Sequence, residues 1–149
     1  MNADLEAAVN RTGRSCGQCS LCCKLPEIVV LNKPANVWCQ HCKPGKGGCS
    51  IYDTRPEKCQ NFGCGWLTDP SFDDDWFPAR AKIYVASSRG PGGRVDVLVS
   101  VDPAYPNRWR EAPYFDRILR MAARRGRVVV SVGLQVITVR PNEPPHDPH

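Results

Sequence analysis

Several features that would assign a function quickly are missing from this 149-residue chain. No apolar run approaches the ~20 residues of a membrane-spanning helix, so we expect no membrane partner. The first residues lack the basic and then apolar pattern of a signal peptide, and we therefore expect the protein to stay in the cytoplasm. Histidine is scarce, since His41 alone lies outside the last four residues. No phosphate loop, nucleophile elbow or His-x-Glu deaminase signature is present, so the sequence assembles no catalytic set of an enzyme.

Cysteine is absent from most of the chain and concentrated in one segment. Cytosolic reductants keep thiols free, nine is an odd number for disulfide pairing, and an adjacent pair of cysteines suits a compact ligand loop. The pattern therefore favours metal ligation over disulfides, by all nine cysteines: Cys16, Cys19, Cys22, Cys23, Cys39, Cys42, Cys49, Cys59 and Cys64.

The spacing of the thiols bears on how many ions they hold. Steps of three from Cys16 to Cys22 keep successive thiols on one side of a tight turn, whereas the neighbours Cys22 and Cys23 diverge. We therefore expect two sites or one polynuclear cluster, because a tetrahedral zinc site takes four thiolates. Two mononuclear sites would leave one thiol over, and a three-ion cluster would use all nine. His41 is a further candidate ligand, with a solvent-facing loop histidine as the alternative.

Three runs of fixed spacing carry a resemblance to a known family. They are Cys16-x-x-Cys19-x-x-Cys22-Cys23, Trp38-Cys39-x-His41-Cys42 and Cys49-x-Ile51-Tyr52-x-x-Arg55-Pro56-x-x-Cys59-x-x-Phe62-x-Cys64. The segment 16–67, about a third of the chain, resembles the YkgJ-like CxxCxxCC family of zinc- or iron-chelating domain proteins. Ser20 departs from the glycine that members often have after the second cysteine. The resemblance implies metal chelation and leaves the rest of the chain outside it.

The choice of metal depends on the residues that come after the first three cysteines. All-thiolate sites suit zinc and iron–sulfur clusters alike. The spacing of Cys16, Cys19 and Cys22 is that of the first three cluster ligands of a ferredoxin, but the Cys-x-x-x-Cys-Pro continuation is absent. The sequence therefore favours zinc, with iron or an iron–sulfur cluster as the alternative cofactor.

Three functions remain open at this level. The leading one is a metal-chelating protein in which the metal is structural or is handled for delivery. The second is an iron–sulfur redox or electron-transfer protein, and the third is a zinc-stabilised adaptor that binds a protein or nucleic acid partner. Nucleic acid is the less favoured partner, because the arginine-rich segment 117–125 has no accompanying aromatic stacking motif. The sequence specifies no protein partner.

Charge and periodicity divide the chain. Residues 1–75 hold eight Lys/Arg and nine Asp/Glu, whereas residues 76–140 hold twelve and four. We predict an α+β fold with a loop-rich cysteine region at 1–70, a small β-β-α-β region at 71–140 and a disordered tail at 141–149.

The predicted elements are few. In the first region they are a helix ending near Gly13, a short strand at 28–31, and a helix opened by the capping box Thr54-x-x-Glu57. In the second they are strands at 81–87 and 94–101, a helix from Pro113 to Gly126, and one long strand at 128–139 with a bulge at Gly133.

Overall fold

A computed structural model describes residues 3–17, 19–43, 49–89 and 91–142. The chain divides into two compact units, Met1–Tyr84 and Val85–His149. The fold class is α+β, as predicted. The sequence-based bounds at residues 70 and 140 stay predictions, and most of the predicted tail, 143–149, lies outside the described residues. No helix in the described part of the chain combines the length and the apolar composition needed to cross a bilayer.

Most helices of the described residues precede the first strand. The helices are α1 (Ala3–Thr12), α2 (Glu57–Gln60), α3 (Gly65–Thr68), α4 (Pro78–Ala81) and α5 (Tyr114–Arg125). The strands are β1 (Ile83–Arg89), β2 (Val95–Val101), β3 (Val128–Val132) and β4 (Gln135–Val139). Short 3-10 turns lie at Leu21–Cys23, Val29–Leu31, Tyr52–Thr54, Asp74–Trp76, Pro91–Gly93 and Arg108–Arg110.

The four strands form one mixed sheet in the order β1-β2-β3-β4. β2 and β3 are parallel, with Val97 opposite Val128, so the chain must cross over between them, and α5 lies in that connection. β3 and β4 are antiparallel, with Val128 opposite Val139. The observed order is therefore β-β-α-β-β, with one strand more than the predicted β-β-α-β.

The core of the second unit is explained by simple periodicities. Tyr114, Ile118 and Ala122 recur every four residues and are the buried face of α5. This helix packs against β2, β3 and β4. In β3, buried and partly exposed residues alternate as expected for a strand with one buried face. The helix ends as predicted at Gly126, whose φ of 88° suits the left-handed C-terminal position.

The long strand predicted at 128–139 is wrong. The chain reverses at Gly133, which has a φ of 61°, and the two halves pair with each other as a hairpin. Leu134 at the turn is 99% exposed, which a residue inside a continuous strand of this sheet would not be. A glycine inside a β-branched run is compatible with a bulge or a turn. The antiparallel pairing of β3 with β4 shows that this one is a turn.

Two predictions in the first unit are also wrong. A 3-10 turn spans Val29–Leu31 in place of the strand predicted at 28–31. Ile28 and Lys33 on either side of it form an isolated bridge, and no strand among the described residues extends that pairing. The capping box does not form: Pro56 is extended, α2 begins after it, and the Thr54 hydroxyl donates to the Ile51 carbonyl instead. The N-terminal helix, by contrast, ends at Thr12 next to Gly13 as predicted.

Candidate metal centre

The first three cysteines lie on a tight turn. The Cys19 N–H donates to the Cys16 carbonyl at 2.8 Å, and Gly17 between them has a φ of 53°, which favours glycine. The Leu21–Cys23 3-10 turn comes next and carries Cys22. Burial raises the pKa of Cys16 and of Cys19. Negative charge on neighbouring cysteines, when these are ionised, raises both pKa values further. The turn therefore places three thiols close to one another.

Cys64 joins these thiols from far along the chain. Its side chain is among the electrostatic neighbours of Cys16 and Cys19, and the residue is 8% exposed. Burial raises its pKa to about 11, although the N–H groups of Leu67 and Trp66 at the start of α3 act to lower it. A thiol in this setting keeps its proton until a cation displaces it.

The N-terminal helix fixes the segment that bears Cys64. The Thr12 hydroxyl donates to the Leu67 carbonyl at 2.8 Å, and the Arg14 guanidinium donates to the Trp66 carbonyl. The Leu5 side chain lies against Gly63, where a Cβ atom would also come within 2.8 Å of Thr68 Cγ2. Helix α1 thus packs on α3 and holds the Cys64 turn in place.

A second group of thiols comes from the following loops. The Cys42 N–H donates to the Cys39 carbonyl at 3.2 Å, and Cys42 and Cys49 face each other in an isolated antiparallel bridge. Cys59 lies on α2 and has Cys39 and Cys49 among its electrostatic neighbours. Burial raises the pKa of Cys59 and raises that of Cys42 to about 11.

Cys22 and Cys23 are hydrogen-bonded to each other and differ in their further neighbours, so the predicted divergence of the pair onto different ions stays a prediction. The Cys22 thiol donates a hydrogen bond to the Cys23 sulfur, which raises the pKa of Cys22 and lowers that of Cys23 to about 7. The side chain of Cys42 is also hydrogen-bonded to the Cys23 sulfur. The Cys39 N–H also donates to the Cys23 carbonyl at 2.9 Å, so this residue is tied to the second group through its backbone.

Lys33 is a feature of this region that sequence reasoning missed. The residue is 5% exposed, and its ammonium donates to the carbonyls of Lys24 (2.7 Å), Pro34 (2.8 Å) and Pro26. Burial lowers the pKa of Lys33, and the charges of Cys39, Cys23, Cys42 and Cys59 oppose that shift. The cation therefore organises a loop and partly neutralises the thiolates beside it. A lysine followed by a proline at 33–34 is by itself no signal of burial.

Arg55 is a second cation close to the thiols. Its Nε donates to the Tyr52 carbonyl at 2.9 Å, and its guanidinium lies 3.8 Å from the centre of the Tyr52 ring. Its charge acts on Cys16, Cys23 and Cys59. Tyr52 itself is 57% exposed, so it covers the arginine rather than filling a core.

His41 has the side chains of Ser50 and Gln40 as its hydrogen-bonding neighbours. Its Nδ1 is 3.4 Å from the Ser50 hydroxyl, and its Nε2 is 3.3 Å from the Gln40 side-chain nitrogen. Its carbonyl accepts from the Ser50 N–H at 2.8 Å. These contacts tie His41 to the segment around Cys49, and its role as a ligand stays a prediction.

The thiols are neighbours without forming a finished coordination shell. Within residues 3–17, 19–43, 49–89 and 91–142, no three His, Cys, Asp or Glu side chains converge tightly enough to hold an ion. All nine cysteines are free thiols. The donor set fits a thiophilic cation such as zinc or iron, because thiolate is the ligand that such ions share. Ligation would require the thiols of each group to close on the ion.

The comparisons with known proteins supply no relative. No protein-family model matches the chain, and neither the curated proteins nor the solved structures contain a match. The resemblance to the YkgJ-like family therefore stays a prediction from the cysteine spacing.

Proposed function

We propose that this protein is a metal-chelating protein that binds zinc through clustered cysteine thiolates, and that its resemblance to the YkgJ-like family reflects this function. The observation that carries the proposal is the gathering of nine free thiols from three stretches of the chain into the first unit. Cys64 reaches Cys16 and Cys19 across more than forty residues of sequence. In the cytoplasm, where we place the protein in this proposal, so many adjacent thiols have no use as disulfides, because the compartment is reducing.

The metal in this proposal has a structural role in the first unit, which then serves as a cysteine-rich metal-binding lobe. Helices α2, α3 and α4 each have four residues, and such short helices are not stable by themselves. Bound thiolates would fix these turns in the way that structural zinc fixes small domains, with roughly 10–16 kcal/mol of apparent binding energy per ion at neutral pH. The alternative role in this proposal is that the protein binds the metal in order to deliver it.

Elemental analysis of protein prepared anaerobically and without chelator tests the proposal. We expect about two or three ions per chain, predominantly zinc, and a colourless solution. A brown protein with a broad band near ~400 nm and matching sulfide would instead support the iron–sulfur function. An ion content near zero, with all nine thiols titrating as free, would contradict metal chelation altogether.

A further inference from the structure

We propose that the thiols form two separate four-cysteine metal sites, with Cys23 as a ninth thiol that faces both. The assignment rests on the proposed function, because it states which cysteines share an ion. The first site consists of Cys16, Cys19, Cys22 and Cys64. The second site consists of Cys39, Cys42, Cys49 and Cys59.

The electrostatic neighbours of the thiols divide in this way. Cys64 has Cys16 and Cys19 as its thiol neighbours, and these belong to the first site. Cys59 has Cys39 and Cys49 as neighbours, and Cys42 has the same two, all in the second site. Cys23 alone is a strong neighbour of members of both sites.

The path of the chain gives the same division. Each site takes three thiols from one continuous stretch and the fourth from a short helix further on. The first site has its three on the turn at residues 16–22 and its fourth, Cys64, at the start of α3. The second has its three in the stretch from Cys39 to Cys49 and its fourth, Cys59, on α2. In a 3-10 turn consecutive side chains point in different directions, which lets Cys22 serve the first site while Cys23 lies between the two sites.

The positively charged side chains near the thiols are distributed in agreement with two sites. A divalent ion with four thiolates carries a charge of about −2, so two such sites would repel each other. Lys82 acts on Cys19 in the first site, whereas the buried Lys33 acts on the second site and on Cys23. Arg55 faces Cys16, Cys23 and Cys59, that is, one thiol from each site and the thiol between them. Each site therefore has its own lysine, and one arginine lies where the sites meet.

Counting ligands leaves Cys23 outside both shells. Four thiolates saturate a tetrahedral zinc ion, so neither site needs a fifth. Cys23 is nevertheless hydrogen-bonded to Cys22 of the first site and to Cys42 of the second. It is the cysteine whose position the two sites share, and its thiol stays unligated when both are filled.

Cysteine-to-serine variants of the full chain, loaded with cadmium and examined by cadmium NMR and elemental analysis, test the assignment. We expect wild-type protein to give two resonances and about two ions per chain. Cys64→Ser and Cys59→Ser should each lose a different resonance and about one ion, whereas Cys23→Ser should keep both. Cys22→Ser is a second first-site variant, in case loss of the buried Cys64 disturbs folding.

Alkylation gives an independent readout on the loaded wild-type protein. We expect N-ethylmaleimide to modify Cys23 first, as identified by peptide mass spectrometry, while the other eight thiols stay protected. Loss of both ions from any single variant would indicate one polynuclear cluster and overturn the division. Loss of an ion from Cys23→Ser would make Cys23 a ligand and overturn its assignment. Wild-type protein that binds no cadmium or zinc would refute the proposed function itself, a different result from either of these.

Discussion

The two units differ in the side chains that they bury. The largest fully buried side chains of the described residues are Trp109, Ile83, Ile118, Val99, Val101, Val128, Val130 and Val139. Among these, only Ile83 belongs to the first unit, at its end. The second unit has a twelve-residue helix and most of a four-stranded sheet, whereas the first has one ten-residue helix, several one-turn helices, 3-10 turns and mostly half-buried thiols.

This difference indicates two sources of order. Burial of apolar surface is the main favourable term in folding, and the second unit has it in the ordinary form. In the first unit Leu21, Leu25 and Ile28 are buried, but Val29 is 72% exposed, and hydrogen bonds from Lys33 and Arg55 to carbonyls add to the order of the loops. We therefore interpret the second unit as folded by its core and the first as completed by metal.

Truncation of the core helix of the second unit should give the largest effect of a single substitution. Ile118 is fully buried on α5, and Ile118→Ala should lower the free energy of unfolding of this unit by about 2–5 kcal/mol. The loss should be the same with and without chelator. Thermal unfolding followed by circular dichroism measures it, with exposed Arg120→Ala as the control. A chelator-dependent loss would show that the units do not have separate sources of stability.

Overpacking at Gly63 should weaken the first unit of the metal-loaded protein. Gly63→Ala places a methyl group against Leu5 and Thr68 and should cost about 1–3 kcal/mol. Leu5→Ala in the same chain should recover part of the loss, because it removes one of the two clashes. Chemical denaturation of the single and double variants measures this coupling. A double variant no better than the sum of its single variants would mean that α1 does not fix the Cys64 turn.

Removal of the buried ammonium should weaken the second site. Lys33→Met leaves three carbonyls without their donor, which should cost about 1–3 kcal/mol and lower zinc affinity about tenfold or more. Lys43→Met, at an exposed lysine of the same region, is the matched control. Competition with a zinc chelator measures the affinity. Equal affinities for the two variants would show that Lys33 does not support the site.

The pH dependence of zinc binding distinguishes a folded metal-free state from an unfolded one. Each thiol that is protonated without metal releases its proton on binding, so affinity rises with pH until the thiols ionise by themselves. In the folded first unit the pKa of Cys42 and of Cys64 is about 11, raised from 9.0, and the rise should continue to that pH. In an unfolded unit it should level off near 9.0. We expect the zinc affinity to level off near pH 9.0. Competition with a zinc chelator at successive pH values measures it.

The sequence predicted the elements that have a strong local period. The spacing of Tyr114, Ile118 and Ala122 located α5, and β-branched runs located the sheet. The strand predicted at 28–31 failed because β propensity needs a pairing partner, which this loop lacks among the described residues. The reversal at Gly133 was missed because a glycine in an apolar run has the same sequence signature for a bulge and for a turn.

The candidate cysteines could be identified from composition and spacing, whereas the division that we propose for them could not be. Which thiols become neighbours depends on the tertiary fold, as for Cys64 with Cys16, and no local pattern encodes this. Lys33 was missed for a related reason. Its partners are backbone carbonyls, and carbonyls are present at every position of a sequence.

Hydrogen exchange of the reduced protein, with and without a zinc chelator and with metal removal verified, tests most directly whether metal completes the first unit. We expect removal to abolish protection at residues 16–64 while α5 and β3 keep theirs. Loss of protection in both units would contradict independent folding of the second. Protection at 16–64 that survives metal removal would show that the metal is cargo on a preformed fold.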